Sequence, residues 1–237
     1  MRDGRIEASG LTKVFGQVTA VRDVSFAVEP GSVTGVLGPN GAGKTTTLRM
    51  LLGLVRPTAG RATIGGAPVP ELRSPGRVVG AVPETPGFHP ARTGLAHLRA
   101  CAAAIGVPRR RVPEVLELTG LAGAAERAAR GYSPGVRQRL ALATALLGDP
   151  PVLVLDEPAS GLDPEGAAWL RGFLRAYAQA GRTVLLSGRL LADVEPAADR
   201  IVVLGRGECV HAGPLADLRA RQRRRVLVTT PDVGARG

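Results

Sequence analysis

The feature that most constrains this chain is a glycine-rich segment that follows a short β-branched run, Val33–Leu37. Apolar residues with helical spacing come directly after it. A strand, a G-x-x-x-x-G-K-T loop and a helix in this order predict a phosphate-binding loop on an α/β core, because backbone N–H groups and a helix N-terminus then face the phosphate oxygens. The segment consists of Gly38, Pro39, Asn40, Gly41, Ala42, Gly43, Lys44 and Thr45.

The choice of cation supports the phosphate-binding interpretation. Of the 31 basic residues only Lys13 and Lys44 are lysines. We predict that the ammonium of Lys44 reaches the β- and γ-phosphates of ATP, that the Thr45 hydroxyl binds Mg²⁺, and that the rest of the loop with Thr46 surrounds the phosphates. The competing interpretation, a glycine turn before an ordinary helix, does not account for a lysine at this position.

A second motif places two carboxylates after an apolar run, Val152–Leu155. Four apolar residues predict a strand buried on both faces of a sheet. Ligands of open parallel sheets bind at the carboxyl ends of the strands. Asp156 is therefore predicted to contribute to a Mg²⁺ site, and Glu157 to orient or deprotonate an attacking water. Solvated acids at a strand end are the competing interpretation, and the nearby phosphate-binding loop argues against it.

The remaining pattern predicts an α/β fold: a P-loop NTPase core with a largely parallel sheet, an antiparallel β lobe and an inserted α-helical lobe. Residues 6–28 predict short strands and turns, and residues 183–187 and 201–204 predict further strands. Residues 164–180 predict a helix. The helical lobe is predicted at about 84–150, where alanine, leucine and arginine recur with helical spacing.

Composition narrows the possible partners. The net charge is +11, but the general use of arginine resembles genome composition, and aromatic residues are only 3%, so nucleic-acid binding is not expected. The longest stretch without charge, residues 30–43, is too short to cross a bilayer. We therefore expect no membrane-spanning helix. No apolar segment follows the first charged residues, so we expect no secretory signal. Two cysteines are too few for a disulfide framework, so we expect a reducing compartment.

Together with the segments below, these motifs make residues 6–218 resemble the ATPase subunit of ATP-binding cassette (ABC) transporters. The chain is most similar to the bacterial drug- and bacitracin-export type, whose ATPase is separate from its membrane partner. The family signature corresponds here to Tyr132, Ser133, Pro134, Gly135 and Val136. The resemblance implies that Ser133 and Gly135 contact the γ-phosphate of ATP held by an opposing subunit. The competing interpretation is a plain helix start, with Ser133 as N-cap and Pro134 as the first helical residue.

Two further segments fit the resemblance. Residues 160–163 are similar to the D-loop at the dimer interface, and Asp163 followed by Pro164 also predicts a helix start. Phe15 lies where the family keeps an aromatic residue that stacks on adenine, and a core phenylalanine is the alternative. The resemblance implies one ABC ATPase domain over residues 5–218 and a short tail at 219–237.

Two positions depart from the family pattern. Glu84 stands where the family has the Q-loop glutamine, and it could still face Mg²⁺. Arg189 stands where the family has its switch histidine; it cannot relay a proton, but it can hold a γ-phosphate. Both are candidate catalytic residues, with Lys44 and Glu157. The histidines of this chain, His89, His97 and His211, are interpreted as surface or helix-face residues.

The resemblance implies a subunit at the cytoplasmic face of the membrane that binds and hydrolyses ATP with Mg²⁺ and dimerises head to tail with a second cassette, in a homodimer or a heterodimer. It also implies that this dimer drives a separate multi-span membrane subunit, and that the transporter is an exporter. Two alternatives remain open: a catalytically weak half of a heterodimer, or a soluble ABC ATPase that acts on nucleic acid or the ribosome. A basic cluster at 221–225 predicts either a solvated helix face or a contact with anionic lipid.

Overall fold

The computed structural model describes residues 4–223, with side chains described through residue 220. Two sheets and seven α-helices account for most of this part of the chain. The strands are β1 (Ile6–Phe15), β2 (Val18–Val28), β3 (Val33–Leu37), β4 (Ala59–Ile64), β5 (Val79–Val82), β6 (Val152–Leu155), β7 (Thr183–Gly188), β8 (Arg200–Gly205) and β9 (Glu208–Pro214). The helices are α1 (Lys44–Leu51), α2 (Gly94–Ile105), α3 (Arg111–Leu118), α4 (Pro134–Leu146), α5 (Pro164–Gln179), α6 (Leu191–Val194) and α7 (Leu215–Arg223).

The larger sheet has the strand order β5-β6-β7-β3-β8-β9, and all pairs are parallel except β8 with β9. Every residue of β3, β6 and β7 is buried. Such strands need cover on both faces, as their continuous apolar sequences predict. The carboxyl ends of β3, β5, β6 and β7 therefore meet at one edge of the sheet, and this edge carries the residues predicted to act on phosphate.

The smaller sheet is antiparallel, with the order β2-β1-β4. β1 and β2 are long strands of 10 and 11 residues joined by a tight turn at residues 16–17, whereas the sequence had predicted several short strands. Register shifts between Ala8 and Val14 interrupt the ladder, which explains why the alternation of apolar residues is irregular in this region. Helix α1 packs between the two sheets with buried Leu48 and Leu51.

Helices α2, α3 and α4 lie between β5 and β6 in the chain, where the sequence predicts the helical lobe. Their apolar faces join one core through residues such as Leu98, Val115 and Leu140, which have no exposed surface. The Thr93 hydroxyl accepts a hydrogen bond from the N–H of Ala96 and so begins α2. This lobe thus forms a compact extension of the parallel sheet.

Strand β9 was not predicted from the sequence. It returns antiparallel to β8 through a turn in which Arg206 and Gly207 both have positive φ, at 51° and 83°. Two successive left-handed residues are the conformation of the tightest hairpin turns. Because arginine is not a typical residue for the first of these positions, the turn is not evident in the sequence.

Among residues 4–223, no helix combines the length and the apolar character that a bilayer crossing requires. The side chains of Arg221 and Arg223, and the whole of Arg224 and Arg225, lie outside the described residues. The two interpretations of the basic cluster therefore stay predictions.

Candidate nucleotide site

The glycine-rich loop leaves the carboxyl end of β3 and enters α1 at Lys44. Gly41 and Gly43 have φ of 77° and 97°, in the left-handed region that favours glycine. A Cβ atom at Gly43 would lie 2.7 Å from the carbonyl oxygen of Ala20, so this position also excludes a side chain sterically. The curved backbone and the N-terminus of α1 form the concave surface that a phosphate group would occupy.

Lys44 is only 5% exposed, and its ammonium lies inside the curve of the loop. Its Nζ donates to the carbonyl oxygens of Gly38 at 2.8 Å and Pro39 at 3.4 Å. The same Nζ is 3.5 Å from Oε1 of Glu157. These contacts hold the Lys44 ammonium between the loop carbonyls and Glu157, in the lining of the cleft.

The two acids after β6 are held by a side chain that sequence reasoning missed. The Ser187 hydroxyl donates to Oδ1 of Asp156 at 2.6 Å and accepts from the backbone N–H of Glu157 at 2.8 Å. Glu157 has φ of 45°, which is uncommon outside glycine and characteristic of strained functional positions. The one available sequence signal was the position of Ser187, a polar residue near the end of the fully buried β7, the neighbour of β6.

Arg189 connects two carboxylates at the edge of the cleft. Its Nε donates to Oε2 of Glu157 at 2.8 Å, and its Nη2 is 3.9 Å from Oε1 of Glu84. Its backbone is fixed, because Oδ2 of Asp193 accepts from the N–H groups of Arg189 and Leu190 at 3.0 and 2.8 Å. The two residues that depart from the family pattern thus lie beside each other and beside Glu157.

Lys44, Glu84, Glu157 and Arg189 share one cleft of about 460 Å³, which Asp156, Ser187 and Asp193 do not line. The hairpin of β1 and β2 closes one side with Val18, Thr19 and Ala20, none of which the sequence had suggested. The predicted residues that line the cleft are Asn40, Gly41, Ala42, Gly43, Lys44, Thr45, Thr46, Glu84, Glu157 and Arg189. The arrangement brings two cations, two carboxylates and the N-terminus of α1 around one space that suits a polyphosphate.

Phe15 is 50% exposed at the end of β1, so it is not part of a core. The ammonium of Lys13 lies 4.9 Å from the centre of its ring. Val18, the next apolar side chain of the hairpin, is exposed and lines the cleft. An exposed aromatic ring next to a cleft wall leaves a face available for stacking on a flat ligand.

Ser133 and Gly135 line a second cleft, of about 230 Å³, together with Asp163 and Trp169. The Ser133 hydroxyl accepts from the N–H of Val136 at 3.3 Å, which confirms the predicted N-cap of α4. Oδ1 of Asp163 accepts from the N–H of Gly166 at 2.7 Å, which confirms the predicted start of α5. In the described chain, the signature residues and Lys44 therefore belong to different clefts.

The second cleft contains a contact that the sequence did not reveal. The guanidinium of Arg139 on α4 lies 3.9 Å from the centre of the Trp169 ring on α5, and its Nη1 donates to the carbonyl oxygen of Thr119 at 3.0 Å. A cation over an indole face is a favourable contact. It joins the signature helix to the helix that Asp163 begins.

Comparison with known proteins agrees with this geometry. The family model described as ABC transporter matches residues 21–160. An ABC transporter ATP-binding protein of Nostoc sp. strain PCC 7120 is 39% identical over 87% of this chain and 63% of its own length. The bacitracin transport ATP-binding protein BcrA of Enterococcus faecalis is 37% identical over 92% of this chain and 72% of its own. A solved ATP-binding subunit of an ABC transporter superposes with a TM-score of 0.81 at 31% identity, covering 92% of this chain and 93% of its own.

The chain belongs to the ABC transporter ATP-binding family. It spans about three fifths of the length of the Nostoc relative. The predicted resemblance and the predicted fold class, a P-loop NTPase core with a β lobe and a helical lobe, are both confirmed.

The oxygen donors of this ABC cassette fit Mg²⁺. Thr45 is the second residue of α1, and the buried carboxylate of Asp156 has only one of its two oxygens engaged by Ser187. Mg²⁺ is typically held by one or two protein oxygens, with water and substrate phosphates completing the octahedron. Within residues 4–220 no three His, Cys, Asp or Glu side chains cluster as a metal site.

The histidines of the cassette lie away from the nucleotide cleft. His89 is exposed, while His97 is half-buried on α2 with Nε2 3.2 Å from the Thr144 hydroxyl of α4. Burial, with a smaller effect of the nearby Arg92 charge, lowers the pKa of His97. The ring also meets Phe88 edge-on at 4.9 Å. His97 is thus a packing residue of the helical lobe.

Proposed function

We propose that the chain is the ATP-binding and ATP-hydrolysing subunit of a membrane transporter, and that its ATPase domain covers residues 5–218. The observation that carries the proposal is the convergence of Lys44, Glu157 and Arg189 on one cleft above the glycine-rich loop. Membership of the ABC transporter family supports ATP as the ligand.

In the proposed mechanism the loop N–H groups and Lys44 bind the β- and γ-phosphates. Phosphoryl transfer depends mainly on positioning and on charge stabilisation, and a lysine inside the loop supplies both. Glu157 lies 3.5 Å from the Lys44 ammonium, so its carboxylate would face the same phosphate that Lys44 binds. Glu157 then orients the attacking water and accepts its proton.

Thr45 and Asp156 would hold Mg²⁺, and Glu84 could join them from the cleft edge. When bound, the ion supplies positive charge to the β- and γ-phosphate oxygens. Ser187 fixes Asp156 and the backbone of Glu157 together, so the metal-binding carboxylate and the base keep a constant relation. Arg189 offers a further cation to the γ-phosphate.

We further propose that two cassettes act head to tail. Ser133 and Gly135 lie in a different cleft from Lys44 of the same chain, so a second copy or a similar cassette is needed to bring a signature to the phosphates. Closure on ATP and opening after hydrolysis would then move a separate multi-span membrane subunit. The protein would work peripherally, at the cytoplasmic face of the membrane.

The direction of transport is proposed to be export, in line with the drug- and bacitracin-export resemblance and with the bacitracin transport relative. One alternative has specific support: the ion pair with Arg189 engages one oxygen of the Glu157 carboxylate, the group that would receive the proton of water. This favours a catalytically weak partner in a heterodimer. Turnover of the purified chain, alone and with a second cassette, separates the two.

The test of the proposed function is the Lys44→Ala variant. Charge-assisted hydrogen bonds contribute about 1.5–3 kcal/mol, so ATP affinity should fall about 10- to 100-fold in a calorimetric titration. Arg49→Ala is the matched control, because Arg49 is an exposed cation on the same helix. Equal ATP affinity of the parent and Lys44→Ala would contradict the proposed site.

A further inference from the structure

We propose that Glu84 and Arg189 form one charge-balanced unit: the guanidinium masks the Glu84 carboxylate from the nucleotide, and the carboxylate holds the guanidinium over the cleft. The inference rests on the proposed function, because it takes ATP as the ligand of this cleft. It assigns Glu84 a positioning role through Arg189 that is separate from any contact with Mg²⁺.

The topology brings these two charges together. β5, β6 and β7 are neighbouring parallel strands, and Glu84, Glu157 and Arg189 each follow the end of one of them by one or two residues. The guanidinium is the only cation that the described part of the chain places within ion-pair distance of Glu84. The guanidinium therefore lies between the carboxylate of Glu84, which is 45% exposed, and that of Glu157, which is 9% exposed.

The charge of the cleft shows why the two residues depend on each other. Its lining carries the cations of Lys44 and Arg189 and the carboxylates of Glu84 and Glu157. Without Arg189, two carboxylates would face an anionic polyphosphate with Lys44 as the only opposing charge. With Arg189 in place, each carboxylate has a cation next to it, and the net repulsion of ATP is small.

The geometry also leaves the guanidinium able to respond to a phosphate. Asp193 fixes the backbone of Arg189 and Glu157 accepts from its Nε, but the side chain is 51% exposed, so the two Nη groups stay accessible to a new partner. Glu84 sits at 3.9 Å, beyond a direct hydrogen bond, and therefore attracts the guanidinium without locking it. A bidentate arginine can then share its N–H groups between Glu84 and a γ-phosphate oxygen.

The proposal predicts that Glu84 affects ATP only when Arg189 is missing. With Arg189 present, Glu84→Gln should change the Kd of ATP by less than about twofold, because the removed charge was masked. In an Arg189→Ala background the same change removes an unmasked charge and should tighten binding about three- to fivefold, the scale of a partly exposed ion pair. Arg189→Ala alone should weaken ATP binding about tenfold.

The experiment is a double-mutant cycle on the full chain, with ATP titrated calorimetrically in EDTA at low salt. The absence of divalent cations removes any contribution of Glu84 as a metal ligand. Repeating the cycle at about 0.5 M salt should shrink the difference, because the Debye length falls to a few ångströms. The control cycle uses Glu71→Gln and Arg175→Ala, two exposed residues outside the cleft, and should be additive. Melting temperatures check that each variant is folded.

The outcomes separate the two proposals. A partial rescue of Arg189→Ala by Glu84→Gln, with little effect of Glu84→Gln alone, supports the unit. An effect of Glu84→Gln that is the same within twofold in both backgrounds overturns it while leaving the nucleotide site intact. A parent protein that binds ATP neither in EDTA nor with Mg²⁺ overturns the proposed function, and this inference with it.

Discussion

The nucleotide cleft and the signature cleft are built in different ways, although both lie at helix N-termini. In the first, charged side chains from four separate elements meet, and the close contacts are ion pairs between Lys44, Glu157, Arg189 and Glu84. In the second, Ser133 and Asp163 each bind an N–H group three residues further along their own helix. The functional side chains of the first cleft are held by contacts between separate segments, whereas Ser133 and Asp163 in the second are held by local caps.

This difference determines what a substitution can do in each place. A charge removed from the nucleotide cleft leaves its buried partner uncompensated, and the chemistry of the cleft changes with it. A cap removed from the signature cleft leaves only a weaker helix start. We therefore expect effects on turnover to be large in the first cleft, while effects in the second should appear in stability and in dimer closure.

The largest effect is expected for Glu157→Gln. The amide keeps the size of the side chain but cannot accept the proton of water, so turnover should fall about 10²- to 10⁴-fold. ATP affinity should be equal or tighter, because the anion between two cations is gone. Steady-state hydrolysis and a binding titration measure the two quantities, with Glu117→Gln on the exposed face of α3 as control. If the variant hydrolyses ATP as fast as the parent, Glu157 is not the base. The expected difference between the two clefts would then be wrong as well.

The sequence identified the parts of the cleft that lie next to each other in the chain. Two continuous motifs were evident: the glycine loop that ends in Lys44, and Asp156 followed by Glu157. The N-caps at Ser133 and Asp163 were evident as well, because each depends on one side chain and an N–H group three residues later. The contact of Ser187 with Asp156 was not predictable, because it joins segments that only the folded sheet brings together. The contacts of Asp193 are local, since it accepts from N–H groups three and four residues earlier in the chain. The turn before β9 was not predicted for another reason. Arg206 has a positive φ, which is not typical of arginine.

A smaller effect is expected for Arg189→His, in the opposite direction. Arginine has no acceptor and holds Oε2 of Glu157 at 2.8 Å, whereas a histidine could accept and donate a proton beside the γ-phosphate. We expect kcat to rise at least about tenfold, toward the lower end of the contribution of general acid–base assistance. ATP affinity should be equal or weaker.

The Arg189→His result also decides between two roles of the ion pair. Arg175→His, an exposed change on α5, is the control. A large loss of turnover in Arg189→His would identify Arg189 as a cation that stabilises the transition state. The chain would then be a fully active ATPase, and the heterodimer alternative would lose its main support.

In the signature cleft, Ser133→Ala should cost about 1 kcal/mol of unfolding free energy, because the N–H of Val136 loses its acceptor. Ser133→Asn keeps a capping oxygen and should retain most of the stability. ATP affinity of the single chain should be unchanged in both variants, since Ser133 does not line the described nucleotide cleft. Denaturant unfolding and ATP titration measure the two quantities; a clear loss of ATP affinity in Ser133→Ala would show that the clefts are not separate.

The smallest effect concerns His97, which packs against the same helix that Ser133 begins. The Thr144 hydroxyl donates to the carbonyl oxygen of Leu140, so it must accept from Nε2–H of His97. Burial and, to a lesser degree, the charge of Arg92 lower the pKa of His97 in the folded chain. The unfolded chain therefore takes up a proton first as the pH falls, near the ordinary value of about 6.5.

The sign of the pH effect follows from this order. Above about pH 6.5 both states are neutral at His97 and its contribution to stability is constant; below that, the unfolded state gains the proton and stability falls. Because the ring is only half-buried, the loss should be well below the limit of about 1.4 kcal/mol per pH unit. Urea unfolding should show a smaller difference in unfolding free energy between pH 7.5 and pH 5.5 for His97→Gln than for the parent. If the unfolding free energy of His97→Gln depends on pH as strongly as that of the parent, protonation of His97 does not affect stability. The contact with Thr144 would then contribute through packing alone.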